Sequence, residues 1–223
     1  MAKSKKAPKR FTAQDLEVWI RERYREAQIG TGEASQRVRE MDARIRQAFE
    51  RTVAVMVLDM AGFTRITLQH GIIHYLSLIY RMRELCVPAV KRHKGTLVKL
   101  DADNLFAHFS NVDDAIAAAL SVREVVEEAN FDTDDDFDIY ACMGIGYGPI
   151  LVLSHDMWGS EFNIASKLGE DVAGTGEIWL SGAARDALKN KQHHFRKRTL
   201  TLCGVPYDAY LLKPGRFSSP GHG

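Results

Sequence analysis

The sequence has little that would place it in an oxidising compartment or in a membrane. It has only three cysteines, Cys86, Cys142 and Cys203, and none lies in a CxxC or other metal-ligand spacing. An odd number of cysteines in apolar surroundings predicts free thiols in a reducing cytoplasm. No apolar run approaches the roughly 18 residues that a membrane span needs, so we expect no membrane span. The basic start, MAKSKKAPKR, has no apolar stretch behind it and does not resemble a secretory signal.

An excess of one charge is also missing. The 223 residues include 30 Lys and Arg against 29 Asp and Glu, which gives a formal net charge of +1. Bulk charge therefore offers no reason to expect binding to nucleic acid or to a membrane surface. The length fits one sizeable domain with an accessory segment, or two small domains. We predict flexible tails at residues 1–11, which are basic, and 213–223, which are rich in turn-forming residues.

Residues 12–50 are predicted to form a helical segment, because they are rich in Arg, Glu, Gln and Ala and contain no proline. Gly30-Thr31-Gly32 divides the segment into two pieces. In the second piece four apolar residues recur at spacings of three and four, which produces a narrow seam: Val38, Met41, Ile45 and Ala48. Two interpretations stay open, a short coiled coil that serves as a dimerisation stalk and a helix packed on its own domain.

From residue 51 onwards, apolar runs of strand length alternate with helical patterns. The predicted strands are 53–59, 95–100, 104–109, 139–153 (a pair or one bent strand), 177–181, 195–203 and 207–212. The predicted helices are a region up to residue 92 that is interrupted near residue 71, and 111–129, 160–170 and 183–189. The acid-rich segment 131–138 lacks the glycine and terminal glutamate of a calcium loop and is predicted to be solvated. This order predicts an α+β fold with a mixed, largely antiparallel sheet covered by helices on one face.

Asp59 ends a hydrophobic strand, where an unpaired buried carboxylate would cost several kcal/mol. Asp103 follows the turn of the next predicted hairpin, and neighbouring strands would bring the two acids together. Two close carboxylates repel unless they share a proton or a cation, and a site with only oxygen ligands favours Mg²⁺ or Mn²⁺. Gly62, Phe63 and Thr64 then begin a helix whose free N–H groups can bind phosphate. The alternative interpretation is two unrelated turn aspartates.

Four segments resemble the catalytic domains of class III nucleotidyl cyclases: VLDMAGFT, KLDADNLFAHF, MGIGYGPI and HDMWGSEFNIASKL. They occur in that family's order and at its spacings, and the resemblance covers residues 51–212. It implies a ferredoxin-like cyclase homology domain that works as a head-to-tail homodimer with two composite active sites. The implied reaction converts a nucleoside triphosphate into a 3′,5′-cyclic nucleotide and pyrophosphate.

The resemblance also implies residue roles. Asp59 and Asp103 match the aspartates that hold two Mg²⁺ or Mn²⁺ ions per site. Lys99 and Asp156 match the pair that reads the purine, and their donor and acceptor suit N1 and N6 of adenine but not guanine. Asn163 matches the asparagine that positions the ribose. Because Lys99 and Asp156 suit adenine, the favoured substrate is ATP.

Two positions in these segments depart from the family pattern. Lys167 stands where the pattern N-x-A-x-R has the transition-state arginine, and lysine lacks the bidentate fork of a guanidinium group. Ala102 stands where the family usually has glycine. These departures put catalytic power in doubt more than nucleotide binding.

A third departure concerns the last predicted hairpin, LCGVPYDAYLL. A lysine that often reaches the triphosphate there is missing, and Cys203 or Val205 occupies its region. Lys197 and Arg198 are the candidates to replace it.

Three functional hypotheses follow. The first is a cytoplasmic, homodimeric adenylate cyclase, which the pair Lys99 and Asp156 favours. The second is a cyclase of another nucleotide, GTP or a pyrimidine triphosphate, as in bacterial antiphage signalling. The third is a catalytically weak nucleotide-binding module. Lys167 favours the third hypothesis, whereas the presence of both Asp59 and Asp103 argues against it.

Overall fold

Two long hydrophobic strands form the centre of the structure, a computed structural model that describes residues 11–202 and 204–213. Strand β1 (Glu50–Met60) pairs antiparallel with β4 (Ala141–Val152) along its whole length. Residues 53–58 of β1 are all buried, because both faces of the sheet are covered at this point. The apolar composition of β1 therefore reflects a central strand rather than an edge strand.

Seven helices and eight strands lie within the described residues. The helices are α1 (Ala13–Ile29), α2 (Gly32–Phe49), α3 (Phe63–His70), α4 (Ile72–Arg92), α5 (Val112–Phe131), α6 (Ser160–Ser166) and α7 (Gly182–Ala187). A 3-10 turn (Asp135–Phe137) follows α5, and a π-helical turn (Lys167–Val172) continues α6. The strands other than β1 and β4 are β2 (Thr96–Asp101), β3 (Asn104–Phe109), β5 (Met157–Trp158), β6 (Ile178–Ser181), β7 (Phe195–Leu202) and β8 (Val205–Leu212).

The strands form one sheet in the order β2-β3-β1-β4-β6-β8-β7, and β5 pairs with β4. The pairing of β4 with β6 is parallel, and the other strand pairs are antiparallel. The predicted α+β class with a mixed, largely antiparallel sheet is confirmed. The predicted apolar segment 139–153, a strand pair or one bent strand, proves to be one strand, β4.

Helices cover the sheet on both faces, which refines the prediction of helices on one face. Alternate residues of β1, such as Met56 and Leu58, pack with α4, α5 and α7 on what we call the helix face. The intervening residues pack on the opposite side near Ala165 of α6, which we call the α6 face. A side chain on Gly144 of β4 would place its Cβ 2.0 Å from the carbonyl oxygen of Ala165. Glycine at this position therefore lets the backbone of α6 approach the sheet.

Helices α1 and α2 form a hairpin that packs on the end of β4. Leu16 and Trp19 of α1 are buried against Ile45 and Phe49 of α2 and against Leu153. The seam on α2 is thus partly used within the chain through Ile45. A dimerisation stalk at residues 12–50 stays a prediction.

The acid-rich segment is held by Arg81 of α4, which donates hydrogen bonds to the carbonyl oxygens of Phe137 and Ala129 at 2.5 Å each.

Within the described ranges, no helix is long and apolar enough to cross a membrane. The predicted tails lie outside those ranges, apart from Phe11 and Lys213.

Ala102, in the turn between β2 and β3, has a φ of +47°, in the left-handed region that favours glycine. Its carbonyl oxygen accepts a hydrogen bond of 2.7 Å from Arg83 Nη2, which helps to hold this conformation. We expect Ala102→Gly to raise the free energy of unfolding by about 0.5–1 kcal/mol, because glycine adopts this φ without steric cost. Urea denaturation of both proteins measures the difference, and a less stable variant would contradict it.

Candidate active site

Asp59 and Asp103 meet because β1 and β3 are neighbours. The pairing of Leu58 with Leu105 places the end of β1 beside the turn between β2 and β3, which carries Asp103. Both aspartates line one cleft of about 720 Å³, together with Asn104. The chain thus brings together two acids that are 44 residues apart in the sequence.

The two carboxylates lie close enough to repel each other. Burial, followed by the charges of Asp103 and Glu170, raises the pKa of Asp59 from 3.8 to about 7. A divalent cation would relieve this repulsion, so the donor set fits Mg²⁺ or Mn²⁺. Among the residues that the structure describes, no group of three His, Cys, Asp or Glu side chains could hold a metal ion by itself. The remaining ligands would be water and substrate oxygens, which is typical of Mg²⁺ sites.

Two polar neighbours that sequence reasoning missed orient the aspartates. The hydroxyl of Tyr75, a fully buried residue of α4, donates a hydrogen bond of 2.7 Å to Asp103 Oδ2. The amide nitrogen of Asn104, oriented to suit its neighbours, lies 3.2 Å from Asp59 Oδ1 and 3.1 Å from the carbonyl oxygen of Leu58. In the sequence, the signals that could have identified these two neighbours were a tyrosine on the apolar face of α4 and an amide directly after Asp103.

The predicted phosphate-binding turn lines the same cleft. Helix α3 begins at Phe63 after Gly62, which has a φ of +99° and supplies no side-chain cap for the first N–H groups. These N–H groups and the positive end of the helix dipole can therefore bind an anion. Thr64 and Arg65 also line the cleft. Sequence reasoning missed Arg65, although a cation in the first turn after a phosphate-binding segment was the available signal.

The predicted base-reading pair lies outside this cleft. Lys99 on β2 forms an ion pair with Asp101, with 2.6 Å between Nζ and Oδ2. Asp101 raises the pKa of Lys99, and Asp156 adds a weaker electrostatic effect in the same direction. One carboxylate oxygen of Asp156 accepts a hydrogen bond from the backbone N–H of Met157 at 2.9 Å. The structure therefore gives Lys99 a direct acidic partner, Asp101, that the sequence analysis did not name.

Asn163 and Lys167 lie on α6 and on the π-helical turn that continues it. Asn163 is exposed, and Lys167 Nζ lies 2.7 Å from Asp171 Oδ2. Glu170, from the same π-helical turn, lines the cleft of the two aspartates. π-Helical turns often occur at functional sites.

The predicted site residues thus fall into two groups. Those in the cleft are Asp59, Gly62, Phe63, Thr64 and Asp103, and those outside it are Lys99, Asp156, Asn163 and Lys167. In one copy of the chain the two groups do not share a cavity. A composite site between two copies would require such a separation.

The candidates to replace the missing C-terminal lysine do not line the cleft. Lys197 on β7 forms an ion pair with Asp208, 2.6 Å between charged atoms, and Arg198 lies over the ring of Trp179. Strand β7 is at the opposite edge of the sheet from β2. Cys203 lies outside the described residues.

The raised pKa of Asp59 predicts a pH dependence of the stability of the metal-free protein. Between pH 3.8 and about 7 the folded state holds a proton that the unfolded chain releases, so the free energy of unfolding falls as pH rises. Asp59→Asn should remove this loss and be more stable than wild type by about 2 kcal/mol at pH 8, after allowance for solvent screening. Denaturation in EDTA at pH 5 and pH 8 tests this, and a gain that does not grow with pH would contradict it.

Most of this chain is similar to known proteins. The family model of the adenylate and guanylate cyclase catalytic domain matches residues 46–212. A curated relative, putative adenylate cyclase 3 from Rhizobium meliloti (strain 1021), is 26% identical over 131 residues, which cover 59% of this chain and 22% of the relative. The matched region thus spans about a fifth of that relative's length.

Solved structures show the same fold. The adenylate/guanylate cyclase/hydrolase from Silicibacter pomeroyi is 25% identical, with a TM-score of 0.62 over 74% of this chain and 98% of that chain. The guanylate cyclase domain of RhGC from Catenaria anguillulae, solved in complex with GTP, has a TM-score of 0.63 at 17% identity. That match covers 74% of this chain and 97% of the other and shows similarity of fold alone.

Proposed function

Since the chain belongs to the family of adenylate and guanylate cyclase catalytic domains, we propose that it converts ATP into 3′,5′-cyclic AMP and pyrophosphate as a homodimer. The observation that carries the proposal is the cleft in which Asp59 and Asp103 face the start of α3. The cleft combines two carboxylates for cations with free N–H groups for phosphate. These are the two requirements for binding a nucleoside triphosphate with its metal ions.

The homodimer is supported by the division of the predicted site residues into two groups. The cleft contains the acids and the phosphate-binding turn, whereas Asn163 and Lys167 lie elsewhere on the same copy. A second copy would bring its own Asn163 and Lys167 to this cleft, and twofold symmetry would then produce two equal sites.

In the proposed reaction the ribose 3′-hydroxyl loses its proton to solvent, its oxygen attacks the α-phosphorus, and the bond from this phosphorus to the oxygen of the leaving pyrophosphate breaks. Asp59 and Asp103 would hold Mg²⁺ or Mn²⁺, which would lower the pKa of the 3′-hydroxyl and neutralise charge at phosphorus. Tyr75 and Asn104 keep the two carboxylates in place. Lys167 of the partner copy would stabilise the charge of the pentavalent phosphorus.

We place the protein in the cytoplasm, and the support comes from its thiols. Cys86 and Cys142 are free and buried, and burial raises the pKa of the Cys86 thiol to about 12. Free thiols are typical of proteins in a reducing compartment.

The test is an incubation of the purified full chain with Mn²⁺ and each of ATP, GTP, CTP and UTP, with products identified by mass spectrometry. We expect cyclic AMP as the main product. A different cyclic nucleotide would keep the cyclase assignment and overturn the choice of base. Absence of any cyclic product, with the protein folded and dimeric, would favour a nucleotide-binding module.

A further inference from the structure

A β-bulge on β2 decides which way Lys99 points. Leu97 pairs with Ala107, but Lys99 pairs with Phe106, so Val98 and Lys99 together oppose a single residue of β3. Leu97 packs on the helix face and Val98 is buried on the α6 face. Strict alternation would return Lys99 to the helix face. The extra residue keeps it on the α6 face, as β-bulges near active sites often do for a functional side chain.

Asp101 shares this face. Beyond the bulge the alternation is regular, and Leu100 packs against the helix face. Lys99 and Asp101 are therefore neighbours on the α6 face, which explains their 2.6 Å contact. Phe106, which pairs with Lys99, packs on the same face, and its ring centroid lies 5.6 Å from that of Phe162 of α6.

Lys99 and Asp101 are accessible to solvent. Asp101 is also better placed than Asp156 to accept a hydrogen bond from a planar ligand beside Lys99. The side chains of Lys99 and Asp101 are 43% and 61% exposed, on the edge strand of the sheet. One carboxylate oxygen of Asp156 already accepts a hydrogen bond from the backbone N–H of the next residue. Lys99 and Asp101 therefore present a hydrogen-bond donor and an acceptor side by side, on the face that carries the rings of Phe106 and Phe162.

Nucleobases differ in the order of donor and acceptor along their edge. Adenine and cytosine have an amino group as donor beside a ring nitrogen that accepts, whereas guanine and uracil have a carbonyl beside a ring N–H. We propose that Asp101 is a specificity residue that accepts a hydrogen bond from the amino group, while Lys99 donates to the adjacent ring nitrogen. The site then selects amino bases over keto bases. This inference rests on the proposed function and deepens it.

A simple surface ion pair leads to different expectations. If Asp101 only neutralised Lys99, its removal would free the lysine and raise the use of ATP or leave it unchanged. If Asp101 reads the base, its removal weakens amino-base substrates and leaves keto-base substrates unaffected or improved, because a site that rejects a base through an unpaired polar group loses that rejection.

The experiment compares wild type, Asp101→Ala, Asp156→Ala and the control Glu17→Gln, which breaks an exposed ion pair on α1. For each full-length protein, kcat/KM is measured with the four nucleoside triphosphates in Mn²⁺. Equilibrium binding of the four 3′-deoxynucleoside triphosphates, which lack the attacking hydroxyl, gives a readout that does not depend on turnover. A thermal melt of each variant shows that it is folded.

We expect Asp101→Ala to reduce the preference for the better amino base over the better keto base by at least about tenfold, in binding and in kcat/KM. Glu17→Gln should keep the wild-type preference. An unchanged preference in Asp101→Ala, a gain in ATP or CTP use, or a wild-type preference for GTP or UTP would overturn the inference. If wild type forms no cyclic product but Asp101→Ala loses the binding preference, the inference stands and the proposed function fails.

Discussion

Replacement of either Asp59 or Asp103 by alanine is expected to reduce cyclic nucleotide formation to below about 1% of the wild-type rate, because each carboxylate would hold metal at the reacting phosphate. The fold should survive, because burial and nearby negative charge disfavour the Asp59 carboxylate, and the Tyr75 hydroxyl that would lose Asp103 also lies 3.3 Å from the carbonyl oxygen of Met60. The rate is measured with saturating Mn²⁺ and ATP, and size-exclusion chromatography reports the dimer.

Asp186→Asn is the matched control for these two variants. Asp186 is exposed on α7 and does not line the cleft. The control should keep the wild-type rate. An Asp59→Ala or Asp103→Ala protein that remains folded and retains more than a few per cent of the activity would show that the metal assignment is wrong.

Lys167→Ala is expected to lower kcat by about 10²–10³ with little change in KM, because the proposed contact forms with the pentavalent phosphorus and not with the bound substrate. In the structure Lys167 forms an ion pair with Asp171 at 2.7 Å. Both side chains are about half exposed, so this contact is easily exchanged for one to phosphate.

Lys167→Arg separates charge from geometry. A guanidinium group offers two parallel donors to phosphate oxygens, so this variant should hold or raise kcat. Lys189→Ala, a change at an exposed lysine outside the proposed site, is the control and should have no effect. Full turnover by Lys167→Ala would exclude the role in the transition state. An arginine variant as slow as the alanine variant would mean that the site is tuned to lysine.

The fold was predictable because its central strands carry a strong signal. Apolar runs such as 53–59 and 104–109 are bounded by turn residues, and the structure has β1 and β3 there. The position of α6 was not predictable from the pattern. It depends on the glycines of β4. In a sequence, glycines within a strand are compatible both with a weakened strand and with the close approach of another backbone.

The acids of the candidate site could be inferred from sequence because an unpaired carboxylate at the end of a buried strand is costly. Their supports could not, since Tyr75 is far from Asp103 in the chain and looks like any core aromatic of α4. The contact between Lys99 and Asp101 was missed for another reason. It depends on the bulge at Val98, and the break in alternation between Leu97 and Leu100 does not by itself show which residue is the added one.

Complementation between two inactive variants is the direct test of the composite site. Asp59→Ala lacks a metal ligand, and Asn163→Ala lacks the proposed ribose contact. If these groups come from opposite copies, a heterodimer contains one intact site, and an equal mixture should recover about a quarter of the wild-type cyclic AMP formation. Absence of recovery, with subunit exchange shown by co-purification of differently tagged copies, would contradict the composite site.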